Sequence, residues 1–316
     1  MWFKSAQLFN LSIPIGYKPE ILAESLKVFA FKPCLPSLPY SIGWGAPLET
    51  NNEETDNISL VHAANGYILF CLQIEEKILP STVVQQEVKE RVRNIEECEG
   101  RKVYNKEKQN LKEEIYTTLL PKAFSKHKKI YAYLDTHNNQ LILGTTVKKY
   151  TEWFLTWFKK SIDYTEFKFL ELKSLSTIMT SWLKHQNQPQ DLMLEEDCAL
   201  FDPNEQGKTV RCKRQDLTSE AIKTFIEEGS QAKQLRLTWK DQINFVLTSD
   251  FHVQAIRFED NIVDLAKENY AETKEQQFDA NFVIMTQTLT ELMNLLKSLF
   301  IKTSADDDKK LEEVAA

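Results

Sequence analysis

The sequence predicts an α+β protein whose central antiparallel sheet region carries an inserted helical-hairpin tip and is followed by a C-terminal α+β base. Three observations lead to this prediction. Apolar strand patterns flank Asn65 and Gly66, a pair typical of a two-residue β-hairpin turn. A stretch with helical periodicity, residues 76–129, interrupts the strand patterns. Beyond residue 187, short strands again alternate with helical patterns.

Length and composition are those of an ordinary globular protein. The 316 residues are 42% hydrophobic and 27% charged, with a formal net charge of −7. No apolar run is long enough to span a membrane, and Met1 to Lys4 lack the layout of a signal peptide, so we expect a cytoplasmic protein without a membrane partner. The five cysteines are widely spaced, which predicts reduced core thiols.

Residues 1–75 are predicted to form the first part of the central sheet region. A strand over 5–13 and a helix over Pro19–Ala30 precede a proline-rich loop that runs from Phe31 to Pro47. Trp44 lies in this loop between two glycines. It is either a stacking platform for a base or, as is commoner, a loop anchor that plugs into the core.

Residues 76–129 are predicted to form the tip. Two narrow apolar stripes at helical spacing are separated by a break at Gly100, which indicates two helices folded back on each other. Ser81 or Thr82 is expected to cap the first helix, and Pro121 is expected to end the second. Because two thin stripes cannot make a core, the arm must project from a body.

The second half of this arm is basic. Residues 101–129 contain nine Lys or Arg and three Glu, although the whole chain is acidic. A basic limb on an acidic protein is typical of a site for a polyanion. The alternative is that the charges are only the solvated surface of a thin helix.

Residues 130–186 are predicted to form the second part of the central sheet region. A hairpin over 130–144 precedes a helix over 147–162, and a further strand covers 167–172. The helix carries four aromatic residues that we expect to pack on the sheet, namely Trp153, Phe154, Trp157 and Phe158.

Residues 187–302 are predicted to form the base, and residues 303–316 a disordered tail. Strands are expected at 208–214, 235–239, 243–248 and 253–258, with a helix over 218–228. The long helix Phe278–Phe300 is apolar on more than one face, so it is either fully buried or half covered by another subunit. On the second alternative, Leu292 and Leu296 would lie at a dimer interface.

A second basic stretch lies in the base. Residues 208–240 contain eight Lys or Arg and four acidic residues. Arg211, Lys213 and Gln215 would share one face of the predicted strand, while Arg214 lies at its fraying end. Arg, Lys and Gln are donors that phosphate recognition uses. An exposed strand with solvated charges is the alternative.

The sequence carries no catalytic, cofactor or metal signature. The eight glycines form no phosphate-binding loop, no cysteine pair has the spacing of a zinc site, and the five histidines never pair at helical spacing. Cys34 as a nucleophile with His62 as its base rests on residue type alone. We therefore expect a protein that is not an enzyme and that needs no cofactor or metal.

Several blocks of the chain resemble the RdgC family of recombination-associated proteins. The resemblance covers nearly the full length, and its most specific parts are Phe31-Lys32-Pro33-Cys34, Gly43-Trp44, Ala64-Asn65-Gly66, Glu75 to Pro80, Leu119 to Ser125, and Lys213 to Glu220. It implies a DNA-binding protein without catalytic activity. Horseshoe-shaped subunits would form a ring-shaped homodimer around duplex DNA, bind single strands also, and restrain RecA in the nucleoid.

The resemblance also suggests which residues act. Lys213, Arg214 and Gln215 match a stretch that the family places at its DNA-facing surface, and Phe124 matches an aromatic position at its subunit contact. The expected DNA-binding residues are Arg211, Lys213, Arg214, Gln215, Lys122, Lys126 and Lys77. The expected interface residues are Phe124, Leu292 and Leu296. The competing hypothesis is an arm that binds a protein partner, with DNA irrelevant.

Overall fold

The structure is a computed structural model that describes residues 1–11, 18–48, 59–162, 167–168, 171–204, 208–268 and 273–301. The predicted tail, 303–316, and part of the predicted strand 167–172 lie outside these residues. The elements in chain order are β1 (Gln7–Leu11), α1 (Pro19–Lys27), β2 (Tyr40–Gly45), β3 (Val61–Ala64), β4 (Tyr67–Ile78), α2 (Ser81–Glu99), α3 (Asn105–Leu119), a 3-10 turn (Leu120–Lys122), β5 (Phe124–Asp135), β6 (Gln140–Leu143), α4 (Lys148–Ser161), β7 (Phe167–Lys168), α5 (Leu175–His185), β8 (Leu192–Phe201), β9 (Thr209–Cys212), α6 (Glu220–Glu227), β10 (Gln231–Trp239), β11 (Ile243–Thr248), β12 (Val253–Phe258), α7 (Asp260–Glu268) and α8 (Lys274–Phe300).

The predicted α+β fold is confirmed, with two antiparallel sheets. The central sheet has the order β2-β4-β5-β6-β1-β7, and β3 pairs with β4 beyond the end of β2. The predicted hairpin turn is present, since Asn65 and Gly66 have φ of 50° and 79°. A Cβ at Gly66 would also meet the ring of His137, so this position needs glycine for space as well as for its backbone.

Strand alternation gives the central sheet two apolar faces. On one face, Phe70 and Leu72 of β4 pack against α1 and α4, where Phe154 and Phe158 are fully buried. The predicted proline-rich loop includes strand β2, which pairs with β4 and places Trp44 opposite Leu72. Trp44 is a core anchor, only 1% exposed, and its Nε1 donates a hydrogen bond to Ser161 Oγ over 2.7 Å.

The arm projects from the central sheet on a two-stranded ribbon. Strands β4 and β5 pair along their whole length, from Tyr67 opposite Asp135 to Ile78 opposite Phe124, and then lead into α2 and α3. Gly100 ends α2 with a left-handed φ of 62°, and α3 stops before Pro121, both as predicted. The predicted side-chain cap is wrong, because Pro80 occupies the cap position and Ser81 is already helical.

The base contains a five-stranded sheet with the order β12-β11-β10-β8-β9. The predicted strand 208–214 is shorter than expected, since β9 ends at Cys212 and Arg214 adopts a left-handed φ of 52°. The sheet is joined to the central region through Ala6, which exchanges backbone hydrogen bonds with Val253 at the start of β12.

Helix α8 fills the space between the two sheets. The hydroxyls of Tyr133 and Thr290 lie 3.0 Å apart, and one apolar cluster joins α8 to both sheets. Leu292 and Leu296 are 0% exposed within the single chain. This corrects the prediction that they lie at a dimer interface, because their apolar side chains pack inside their own subunit. Burial within the subunit is therefore correct for these two leucines, whereas other apolar residues of the same helix stay partly exposed, namely Phe278, Ile284 and Leu295.

Candidate nucleic-acid interface

The basic stretch of the base ends in a short, well-anchored loop. We call Arg211 together with residues 213–215 the β9 loop. The backbone N–H of Arg214 donates to Asp197 Oδ1 over 3.1 Å, and the N–H of Gln215 donates to the Glu196 carbonyl over 3.2 Å. Both acceptors belong to β8, which pairs with β9. The loop conformation is therefore fixed by the neighbouring strand, although its side chains point outward.

All four side chains predicted to bind DNA in the base are exposed, and they are close neighbours along the chain. Arg211, Lys213, Arg214 and Gln215 lie within five consecutive positions on and just after an edge strand. Within the described part of the chain, none of the three cations forms an ion pair. The site therefore offers three exposed positive charges, of which Lys213 lies near enough to Asp197 to affect its pKa.

Asp197 is the anchor of this loop, and sequence reasoning missed it. Its Oδ2 accepts a hydrogen bond from Arg236 Nε over 2.8 Å, while Oδ1 holds the Arg214 backbone. Partial burial alone would raise the pKa of Asp197, but the hydrogen bonds from Arg214 and Arg236, with the charges of Arg236 and Lys213, lower it below its ordinary value. No motif marks Asp197, because its role depends on strand pairing.

The interior side of the same strand pair is apolar and carries two free thiols. Cys198 and Cys212 face each other across β8 and β9, both buried. Burial raises the pKa of the Cys198 thiol to about 12, so this thiol stays protonated. Cys71 is buried too, but Cys98 is exposed on α2, which corrects the prediction that every cysteine is a core thiol.

The basic residues predicted on the arm do not form one surface. Lys126 lies opposite Glu76, and Lys77 lies opposite Ser125, one position along the ribbon. Because successive residues of a strand point to opposite faces, Lys126 and Lys77 project on opposite sides of the ribbon. Lys122 lies on the 3-10 turn and is exposed.

Phe124 has almost no cover within the subunit. It is 84% exposed at the end of β5, and the residue opposite it, Ile78, is 49% exposed. A large aromatic side chain left in water at a fixed position on a rigid ribbon is typical of an interface anchor.

The structure gives no support for a Cys34–His62 pair. The backbone N–H of Cys34 donates to Glu75 Oε2 over 2.8 Å, whereas His62 Nε2 lies 3.0 Å from Asp279 Oδ1 on α8. In the described ranges, no group of three or more His, Cys, Asp or Glu side chains is placed to hold a metal ion. None of the helices described is both long enough and apolar enough to cross a membrane.

Known proteins resemble this chain over nearly its full length. The family model described as "Putative exonuclease, RdgC" matches residues 1–303. The Recombination-associated protein RdgC of Halorhodospira halophila is 35% identical over 301 residues, which cover 95% of this chain and 98% of that protein. The proteins of the same name from Yersinia pestis and Yersinia pseudotuberculosis are 31% identical over the same share of each chain.

Proposed function

Because the chain belongs to the RdgC family of recombination-associated proteins, we propose that it binds DNA without sequence preference. We further propose a ring-shaped homodimer of horseshoe-shaped subunits that encloses duplex DNA and restrains RecA-mediated recombination. The observation that carries the proposal is the β9 loop, where Arg211, Lys213 and Arg214 are exposed, adjacent and free of ion pairs within the described residues.

Phosphate binding explains why this loop suits DNA. Arginine and lysine bind phosphate oxygens, which carry no base information, and release the counterions that surround the duplex. The whole chain is acidic, so a uniform charge distribution would repel DNA. A concentrated set of cations held by β8 attracts DNA at one place and leaves the remaining surface soluble.

Ring closure requires two separate contacts in each subunit. Two isologous contacts, one at each end, close a pair of subunits around a two-fold axis. Phe124 supports the arm-side contact because it is exposed at the root of the arm. The base-side contact belongs to surface residues of the base, since Leu292 and Leu296 are occupied within the subunit.

Restraint of RecA would follow from occupation of the DNA, with no catalytic step. The double variant Arg214→Ala/Gln215→Ala tests this part of the proposal. It should lower DNA occupancy and lose inhibition of RecA strand exchange in the same proportion, when both are measured on one substrate at several salt concentrations. Inhibition that persists after DNA binding is abolished would show direct contact with RecA. Intact DNA after incubation with Mg²⁺ checks the absence of nuclease activity.

A second function is favoured by the arm itself. Besides Phe124, the arm exposes Tyr104, Tyr116 and Val83, a set of apolar side chains that a protein partner could cover. On this alternative the arm is a protein-interaction module and DNA is irrelevant. Retention of duplex DNA that weakens steeply with salt separates the two, since only the first function requires it.

A further inference from the structure

Helix α4 carries a second set of aromatic residues at the edge of the core. The sequence predicted that all four of its large aromatic residues would pack on the sheet. Phe154 and Phe158 do so and are fully buried, whereas Trp153 and Trp157 are partly exposed at the rim of that cluster. Residues 153 and 157 are one helical turn apart, so their rings lie along one line on the helix.

A lysine ammonium group lies close to each of these rings. Lys149 Nζ lies 4.4 Å from the centre of the Trp153 ring, and Lys160 Nζ lies 5.3 Å from that of Trp157. Tyr150 lies one turn earlier on α4, and Nζ of Lys128, on β5, lies 3.8 Å from the centre of its ring. Lys149 and Lys160 are exposed, and cation–π contacts at exposed sites are weak, so these two ammonium groups can leave the rings at little cost.

The aromatic stack extends onto the central sheet. Tyr40, the first residue of β2, stacks on Trp153 with ring centres 5.2 Å apart and planes 28° apart. Tyr40 is itself exposed, so the stack ends in solvent and can be lengthened by another flat ring. We define the α4 surface as the aromatic residues Tyr40, Tyr150, Trp153 and Trp157 with the lysines Lys128, Lys149 and Lys160.

The charge around the α4 surface fits a polyanion. Helix α4 and the adjoining face of the ribbon carry six lysines and two glutamates, namely Lys126, Lys128, Lys148, Lys149, Lys159, Lys160, Glu76 and Glu152. Both glutamates already pair with lysines, Glu76 with Lys149 and Glu152 with Lys148. Lysines interleaved with aromatic rings are the arrangement with which proteins bind single-stranded nucleic acid.

We propose that the α4 surface binds single-stranded DNA, with bases stacked on Tyr40, Trp153 and Trp157 and the lysines moved from the rings to the phosphates. This inference rests on the proposed function in taking DNA as the ligand, but it assigns a different site and a different mode of binding. The bases of a duplex are already stacked on each other, so duplex DNA uses the β9 loop and gains nothing from these rings. The α4 surface therefore distinguishes single strands from duplex.

Tryptophan fluorescence tests the site without any variant. Of the six tryptophans, Trp44, Trp182 and Trp239 are buried, and Trp2 packs on Phe258 of the base. An oligothymidylate of about 12 nucleotides should therefore quench the emission of Trp153 and Trp157 as its bases stack. A duplex of the same length should quench little. Trp2→Phe, a matched change at a partly exposed tryptophan outside the surface, should leave the quenching intact.

Variants of the α4 surface test its contribution to the affinity for single-stranded DNA. Trp153→Leu/Trp157→Leu should weaken oligothymidylate binding about tenfold and leave duplex binding within about twofold. Lys149→Gln/Lys160→Gln should also weaken oligothymidylate binding. Both lysines are exposed, so this variant keeps the test valid if the tryptophan variant folds poorly. Both binding constants are measured on the full-length chain, with its thermal unfolding recorded beside them.

The outcomes separate this inference from the proposed function. Single-strand binding that leaves the tryptophans unquenched, or single-strand affinity that both variants leave unchanged, overturns the α4 surface and leaves the proposed function standing. Absence of both duplex and single-strand binding overturns the proposed function itself. An acidic peptide that displaces the oligothymidylate and quenches the tryptophans more strongly would make the α4 surface a protein-binding one, and would also overturn the inference.

Discussion

The arm and the base present the same kinds of residue in opposite settings. In the arm, Phe124 is apolar and exposed, whereas in the base Leu292 and Leu296 are apolar and fully buried. Charges differ too. Arg101 in the arm pairs with both Glu99 and Glu107, whereas the cations of the β9 loop have no such partner within the described residues. The two regions therefore suit different tasks, the arm a contact with another chain and the base a contact with phosphates.

This difference shows what a count of charges leaves out. The lysines of α3 are spread around a thin rod, since Lys106 and Lys108 are two residues apart and thus about 200° apart on the helix. Of the three cations of the β9 loop, Arg211 lies on β9, and Lys213 and Arg214 follow on a turn that Asp197 anchors through the Arg214 backbone. The anchored loop therefore holds its charges at a defined place, whereas the lysines of α3 point in different directions around the rod.

The largest expected effect concerns the buried helix. Leu296→Ala should lower the free energy of unfolding by about 2–5 kcal/mol, because it leaves a cavity between α8 and the sheets. Denaturant unfolding measures the loss. The proposed dimer should persist well below the melting temperature, as judged by sedimentation. A variant that is stable but monomeric would return Leu296 to an interface and break the comparison.

A substitution in the arm should weaken subunit assembly and leave the stability of the fold nearly unchanged. Phe124→Ser should weaken the arm-side subunit contact by about 2 kcal/mol, as expected for an aromatic anchor, and should hardly change the melting temperature because the side chain is 84% exposed. Sedimentation should show an opened ring that is still dimeric through the base. Tyr104→Ser, at another highly exposed aromatic of the arm, is the control. A large fall in melting temperature with assembly unchanged would instead make Phe124 a folding residue.

Asp197 links stability in the base to pH. Its pKa is lower in the folded chain than its ordinary value of about 3.9, so its contribution is present above that value and is lost as the pH falls through the folded pKa. Asp197→Asn should therefore lower the melting temperature at pH 7, and the difference from the unmodified chain should narrow as the pH falls below about 4 and through the folded pKa. Asp191→Asn, at an exposed ion pair, should show little difference at any pH. A difference for Asp197→Asn that stays constant with pH would contradict this role for the carboxylate.

The smallest effect concerns the ribbon. Since Lys77 and Lys126 point to opposite faces, only one of them can face a duplex that lies against one side. One of the two alanine variants should flatten the salt dependence of duplex binding by about one unit of log–log slope, and the other should leave it unchanged. Equal flattening by both would mean that DNA contacts both faces of the ribbon.

Local patterns in the sequence predicted the hairpin at Asn65 and Gly66, the break at Gly100 and the end of α3 before Pro121, because turn and helix-ending chemistry is set by neighbouring residues. Features that depend on pairing between distant segments were not predictable. Asp197 anchors a loop 17 residues away, and β8 itself was missed because its acidic residues obscure the alternation of a strand.

The burial of α8 illustrates the same limit. A helix that is apolar on several faces has the same sequence whether the cover is its own chain or a second one. Only the fold shows that both sheets supply the cover, so the sequence could place Leu292 and Leu296 on an apolar helix but not inside the subunit.

The most direct test of DNA binding through the base compares the two basic regions at equal charge. Arg211→Ala/Lys213→Ala/Arg214→Ala removes three positive charges from the β9 loop, and Lys106→Ala/Lys108→Ala/Lys112→Ala removes three from the arm. Duplex affinity is measured for both, and for the unmodified chain, at several salt concentrations. We predict that the base variant flattens the log–log slope by about 2.7 units per subunit, at about 0.9 for each phosphate that is no longer neutralised, while the arm variant leaves the slope unchanged. Equal flattening by the two variants, or greater flattening by the arm variant, would contradict this prediction.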